Sequence, residues 1–162
     1  IPSNIVNTVV ASLRAAHPYE EVAYDVYQLQ NRYNNVGSGI IGELEIEEDE
    51  LSFLKRLKID LNTACVRHTN LIGGKIKRVA ICGGSGSFLL GNAIAQKADI
   101  FITGDFKYHQ FFDAEEKILI ADIGHYESEQ FTKELFYELL IKKFPTFAVR
   151  LSEVNTNPVN YF

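Results

Sequence analysis

The groups of this 162-residue chain that can hold a metal or move a proton are four histidines, two cysteines and 21 carboxylates, and they are not evenly spread. The stretch Asp122–Phe131, "DIGHYESEQF", holds one imidazole and three carboxylates within eight positions. His125 and Glu129 are four apart. A helix running from Tyr126 to Lys143 aims both at one point, as two ligands of one divalent cation require. Glu127 and Ser128 point elsewhere: Glu127 compensates the helix dipole from the first turn, and Ser128 faces solvent or the back of a ligand. A helix start with a stray histidine fits the same residues, because two ligands do not make a site.

Two further clusters follow apolar runs. In "TGDFKYHQFF", Asp105 and His109 are also four apart, so a helix over 106–116 puts them on one face. Such a pair serves as acid and base, as metal ligands, or as the partner that orients a ligand; a cap plus a surface histidine is the plainer reading. "GGSGSF" at 83–88 has the glycines of an anion-cradling loop. It lacks the Lys-Ser/Thr pair of a nucleotide P-loop, and Leu89 stands where the dinucleotide fingerprint has its third glycine. A tight strand-to-helix turn capped by Ser85 or Ser87 fits equally. His17, before Pro18, reads as structural and His68, in "VRHTN", as a turn or loop residue.

The elements that must position these groups alternate. Ser3 is placed to cap a helix with Ile5, Val9, Leu13 and Ala16 on one face, which "HPYE" stops. "EVAYDVYQL" (21–29) alternates like a strand. "QNRYNNVGSG" is turn-rich and marks a boundary. After it come strand "GIIGELEIE", helix "EDELSFLKRLKI", short strand "TACVRHT", strand "KRVAICG", a helix around 87–97, strand "DIFIT", the helix over 106–116, strand "KILIA", the helix over 126–143 and strand "TFAVRL". This order predicts an α/β fold with a mostly parallel sheet and flanking helices, whose strand ends share one rim. All three clusters lie at such ends, so one convergent site is expected.

Composition narrows the function classes. With 46% apolar and 23% charged residues the chain suits one globular domain, or one plus a fragment. A net charge of -5 with no basic cluster argues against nucleic acid as partner. No apolar run is long enough to span a membrane, and no signal peptide is evident. Cys65 and Cys82 form no CxxC pair and read as buried or reduced thiols of a cytoplasmic protein. The chain opens on Ile1 and contains no methionine, which reads as an excised fragment.

Taken together, "VAICGGSGSFLL", "ADIFITGDFKYHQ", "ADIGHYESEQF" and "NTNPVNYF" resemble the second half of the Nif-three-like family, also called dinuclear metal centre proteins or GTP cyclohydrolase I type 2. The resemblance covers roughly residues 36–162, and four motifs in order make it specific. The opening residues, with "AAHPYEEVAYDVY", resemble the end of the PII/CutA-like insert that many members carry. The implied organisation is a helix-strand remnant of that ferredoxin-like insert at 1–33 and the C-terminal α/β half at 34–162. The resemblance implies a toroidal hexamer with two divalent metals (Zn, Fe, Mn or Co) in each full-length subunit. His125 and Glu129 match the family's "GHxxxE" ligands. The remaining ligands, a His-His pair and an Asp, belong to the first half; this chain has no His-His pair, and "RHTN" at 67–70 echoes the first-half "HTNLD" without its Asp.

Two functions follow from the resemblance. One is a metal-dependent hydrolase acting on a purine nucleotide or similar heterocycle, with Asp105 and His109 behind the metal or in proton transfer. The other is a non-catalytic metal-binding or regulatory assembly whose PII-like insert senses a small ligand. In either case this half of the site binds metal weakly or not at all by itself.

Overall fold

The apolar runs "KRVAICG", "DIFIT" and "KILIA" form the centre of a five-stranded sheet in the computed structural model, which describes residues 1–30 and 36–162. The chain divides into two units, Ile1–Asn35 and Val36–Phe162. The boundary expected between 33 and 34, and the middle of "QNRYNNVGSG", lie outside the described residues.

In the first unit, α1 (Val6–Ala16) follows a 3-10 turn at Ser3–Ile5. Ser3 lies inside that turn and no side chain caps the helix, contrary to expectation. The helix stops at His17, which is extended (ψ 139°) because Pro18 excludes the α conformation before it. His17 has a local structural role: its Nδ1 accepts the Tyr19 N–H at 3.2 Å. The strand expected over 21–29 is not formed, and residues 22–30 carry no regular structure. Alternation alone does not make a strand; its N–H and C=O groups need a neighbour, and none pairs with it among the described residues.

The second unit runs β1 (Ile40–Asp49), α2 (Glu50–Asp60), β2 (Arg67–His68), β3 (Lys75–Ser85), α3 (Leu90–Ala95), β4 (Ile100–Gly104), β5 (Leu119–Asp122), α4 (His125–Glu129) and α5 (Thr132–Lys143). Strand order is β1-β3-β4-β5-β2. The central pairs β3/β4 and β4/β5 are parallel, and β1 and β2 close the edges antiparallel. Alternate residues of the central strands feed two cores, as the period of two dictates. Ile100, Ile102, Leu119 and Ala121 pack on one face with Phe53, Leu54 and Leu57 of α2. Phe101, Ile118 and Ile120 pack on the other with Leu90 and Ala93 of α3. Asp49 caps α2, accepting the N–H groups of Leu51 and Ser52 at 3.0 and 3.3 Å.

Five local expectations are corrected. β3 continues to Ser85, so neither Ser85 nor Ser87 caps a helix; a 3-10 turn at Ser87–Leu89 leads into α3 instead. The segment after β4 is a 3-10 helix, Tyr108–Ala114, because Lys107 is extended before it and Glu115 and Glu116 adopt left-handed φ of 47° and 55° after it. The long helix over 126–143 breaks into α4 and α5, where the Gln130 side chain inserts and donates to the carbonyls of Leu61 (2.8 Å) and Glu127 (3.2 Å). The strand "TFAVRL" is absent: the Phe147 and Val149 N–H groups bond locally to the carbonyls of Phe144 and Phe147. His68, expected in a turn, is the second residue of β2. Cys82 is buried as expected, whereas Cys65 is exposed; both are free thiols. Among the described residues no helix is long and apolar enough to cross a membrane.

Candidate metal centre

The carboxyl ends of β3, β4 and β5 bring the three clusters together. Asp105 follows β4 in the left-handed region (φ 58°), and its Oδ2 lies 2.6 Å from His125 Nδ1. His125 opens α4, and its Nε2 lies 3.4 Å from Glu129 Oε2 one turn on. A carboxylate on Nδ1 keeps the neutral ring's proton there and turns the Nε2 lone pair toward Glu129. The hydrogen bond to Asp105 also raises the imidazole's pKa above its ordinary 6.5, helped by the charges of Asp105 and Glu129 and opposed by partial burial.

The glycine loop serves this pair as a wall. A Cβ on Gly84 would stand 2.6 Å from Glu129 Oε1 and 3.3 Å from His125 Cε1, and Gly84 itself has φ 63°. The Gly84 N–H donates to Ser128 Oγ at 2.7 Å, and Ser128 Oγ donates to the His125 carbonyl at 2.7 Å. Thus Ser128 joins the loop after β3 to the start of α4.

A cleft of about 550 Å³ opens beside the pair, with Arg67, Asp122, Glu127, Asn157 and Tyr161 on its walls. Glu127 does stand in the first turn of α4, but its carboxylate is no solvated dipole partner. It is 6% exposed and accepts the Asn157 carboxamide at 3.2 Å, which pins the C-terminal segment across the cleft. Partial burial, then the neighbouring Glu127 carboxylate, pushes the Tyr161 phenol above its ordinary pKa of 10.0.

The expected site residues divide cleanly. Asp105, His125 and Glu129 meet; His109 is exposed and lies outside the cleft lining, because no helix joins it to Asp105. Among the described residues no group of three or more His, Cys, Asp and Glu side chains is placed to hold a metal ion. Sequence reasoning assigned no role to Asp122 or Asn157 and gave Glu127 only that of helix-dipole compensation. The one available signal was Asp122, a carboxylate closing an otherwise apolar buried strand.

The likeness to known proteins is extensive. The family model for Duf34/NIF3 (NGG1p interacting factor 3) matches residues 5–158. A Staphylococcus epidermidis protein named GTP cyclohydrolase 1 type 2 homolog is 37% identical over 149 residues, covering 90% of this chain and 40% of its own length. A crystal structure of the Staphylococcus aureus protein SA1388 superposes with a TM-score of 0.78 at 30% identity, covering all of this chain and 54% of that one. The Bacillus cereus protein related to NIF3 gives 0.72 at 32% identity, again over all of this chain and 46% of that one. The chain thus spans less than half the length of the curated relatives it matches. With nearly its whole length matched by one family model, this chain belongs to the Duf34/NIF3 family.

Proposed function

We propose that His125 Nε2 and Glu129 are two protein ligands of a divalent-cation centre, that Asp105 fixes the imidazole from behind, and that the full-length protein is a metal-dependent hydrolase of the cyclohydrolase type. The observation that carries this reading is the order Asp105–His125–Glu129: a 2.6 Å hydrogen bond occupies Nδ1 and leaves Nε2 facing a carboxylate at 3.4 Å. Ligating histidines characteristically carry such a partner on the other nitrogen. The donor set fits a divalent cation, and Gly84 keeps open the space that a side chain would fill beside both ligands. One imidazole and one carboxylate suit Zn, Fe, Mn or Co about equally.

A cation held there supplies Lewis-acid activation of a water nucleophile. The residues of this chain bind it, hold the His125 proton on Nδ1 and wall the cleft with Glu127, Asn157 and Tyr161. His109, which stands outside that cleft, is the weaker candidate for proton transfer. The family resemblance supports two metals per full-length subunit, a hexamer, and a PII/CutA-like origin for the N-terminal unit. The name borne by the curated relatives supports a purine nucleotide as substrate. Two ligands leave most of a coordination shell to water, so this chain alone is expected to bind metal weakly or not at all.

Metal content and GTP turnover of the full-length protein, with and without His125→Ala, test the reading. The variant is expected to lose both; an unchanged metal stoichiometry would overturn it. Stoichiometric metal without turnover of GTP would favour the regulatory assembly over the hydrolase.

A further inference from the structure

Asp122, the last residue of β5, is 2% exposed and takes no direct part in the proposed ligand set. Its Oδ1 accepts the Gly124 N–H at 3.0 Å, and its Oδ2 accepts the Phe106 N–H at 2.9 Å and a hydrogen bond from Arg67 Nη2. Phe106 directly follows Asp105, and Gly124 directly precedes His125. One buried carboxylate therefore grips both loops from which the Asp105–His125 pair projects.

We propose that Asp122, completed by Arg67, is the positioning clamp of the candidate metal centre, holding the β4 and β5 loops so that the Asp105 carboxylate meets His125 Nδ1. The inference rests on the metal-site reading above for its consequence, but not for its geometry. Arg67 closes the clamp from β2: the same Nη2 donates to the Phe106 carbonyl at 2.9 Å, so Phe106 is held by its N–H and its C=O together. The Phe106 side chain is itself buried in the second core, and the Arg67 guanidinium lies 5.5 Å over the Phe111 ring. The guanidinium is planar and permanently charged, and one of its nitrogens serves both the Asp122 carboxylate and the Phe106 carbonyl.

Two further observations agree. Asp105 keeps a left-handed φ of 58°, a conformation that aspartate tolerates better than most residues and that a fixed neighbouring peptide holds in place. Bonding the next N–H to Asp122 fixes that peptide. A Cβ on Gly104 would fall 2.8 Å from the Gly124 carbonyl carbon and 2.9 Å from the His125 nitrogen. The loops are thus in backbone contact, and a shift of one displaces the other. The buried charge of Asp122 is compensated by three donors, one of them cationic, so removing a partner leaves it exposed to the full cost of burial.

A clamp and a mere fold-stabilising pair differ in what they do to His125. In the metal-free full-length protein, histidine-selective nitrogen NMR at a pH where the ring is neutral should report the Nδ1-protonated tautomer. Asp122→Asn and Arg67→Gln should shift His125 toward a tautomer mixture, as Asp105→Asn does. In an Asp105→Asn background, Asp122→Asn should add nothing, since residues acting through one contact are not additive. Zinc titration should show each single variant weakened about 10- to 100-fold, the usual cost of losing a partner behind a ligand. An unaltered His125 signature in folded Asp122→Asn and Arg67→Gln, with only the unfolding temperature lowered, would overturn the clamp. Altered signatures without zinc binding in any form, wild type included, would leave the clamp standing and remove the metal reading. Should Asp122→Asn fail to fold, Arg67→Gln decides the matter at a side chain that is 55% exposed: an altered His125 tautomer signature supports the clamp and an unaltered one overturns it.

Discussion

Glu127 and Glu129 are the same residue type, two positions apart on the same short helix, and their surroundings are opposite. Glu129 is about half exposed and stands 3.4 Å from His125 Nε2 beside the Gly84 wall. Glu127 is buried and tied to Asn157, 30 residues on. Residues two apart on a helix do not share a face, so the five residues of α4 serve two walls of one cleft. The carboxylate proposed to receive a cation is accessible; the one that anchors a chain segment is sealed and hydrogen-bonded. Position on the helix, not chemistry, assigns the roles.

The sharpest way to break this comparison is to remove the ligand side. His125→Ala in the full-length protein should abolish metal retention by elemental analysis, a larger loss than the 10- to 100-fold expected from any partner behind a ligand. Glu129→Ala should likewise weaken metal binding while moving the unfolding free energy by no more than about 0.5 kcal/mol, as at other exposed positions. Glu127→Ala should do the reverse. It leaves the Asn157 amide without its acceptor and should destabilise by about 1–3 kcal/mol in denaturant unfolding, with metal affinity retained. If Glu129→Ala destabilises as much as Glu127→Ala, the division of roles is wrong.

Asp105→Asn sharpens the ligand side with a smaller change, about tenfold in metal affinity. The smallest effect concerns pH. Because the folded-state pKa of His125 lies above 6.5, the Asp105 pair stabilises the metal-free protein below that value and loses its contribution as pH rises through the raised pKa. The stability gap between wild type and Asp105→Asn should therefore be widest in mild acid and close in alkali. Its size should be that of an exposed ion pair, about 0.2–1 kcal/mol. The same proton competes for Nε2, so metal binding should weaken as pH falls, beginning at a higher pH than for an ordinary imidazole.

Much of the sheet was legible. "KRVAICG", "DIFIT" and "KILIA" are continuous apolar runs, and such runs belong to strands covered on both faces. The failures share a cause. "EVAYDVYQL" and "TFAVRL" have strand-like residues but no partner strand among the described residues, and pairing is not a local property. The helix over 126–143 carries a helical pattern throughout, yet Gln130 is drawn to a carbonyl of Leu61, 69 residues away in sequence.

The site divides along the same line. Spacing alone brought His125 and Glu129 together, because four residues make about one helical turn wherever the helix lies. Asp105 was picked out as a polar residue at a strand end, but with His109 as its partner; the actual partner is His125, 20 positions on, across the rim of the sheet. Short-range periodicity and apolar runs therefore determined the central strands, the strand-end location of the polar clusters and the His125–Glu129 pairing. The orientation of the His125 ring, the burial of Glu127 and the Asp122–Arg67 clamp were decided only by tertiary structure. Each depends on contacts spanning 20 to 55 residues, made between the loops after parallel β4 and β5, across the antiparallel β2/β5 edge, or from the C-terminal segment.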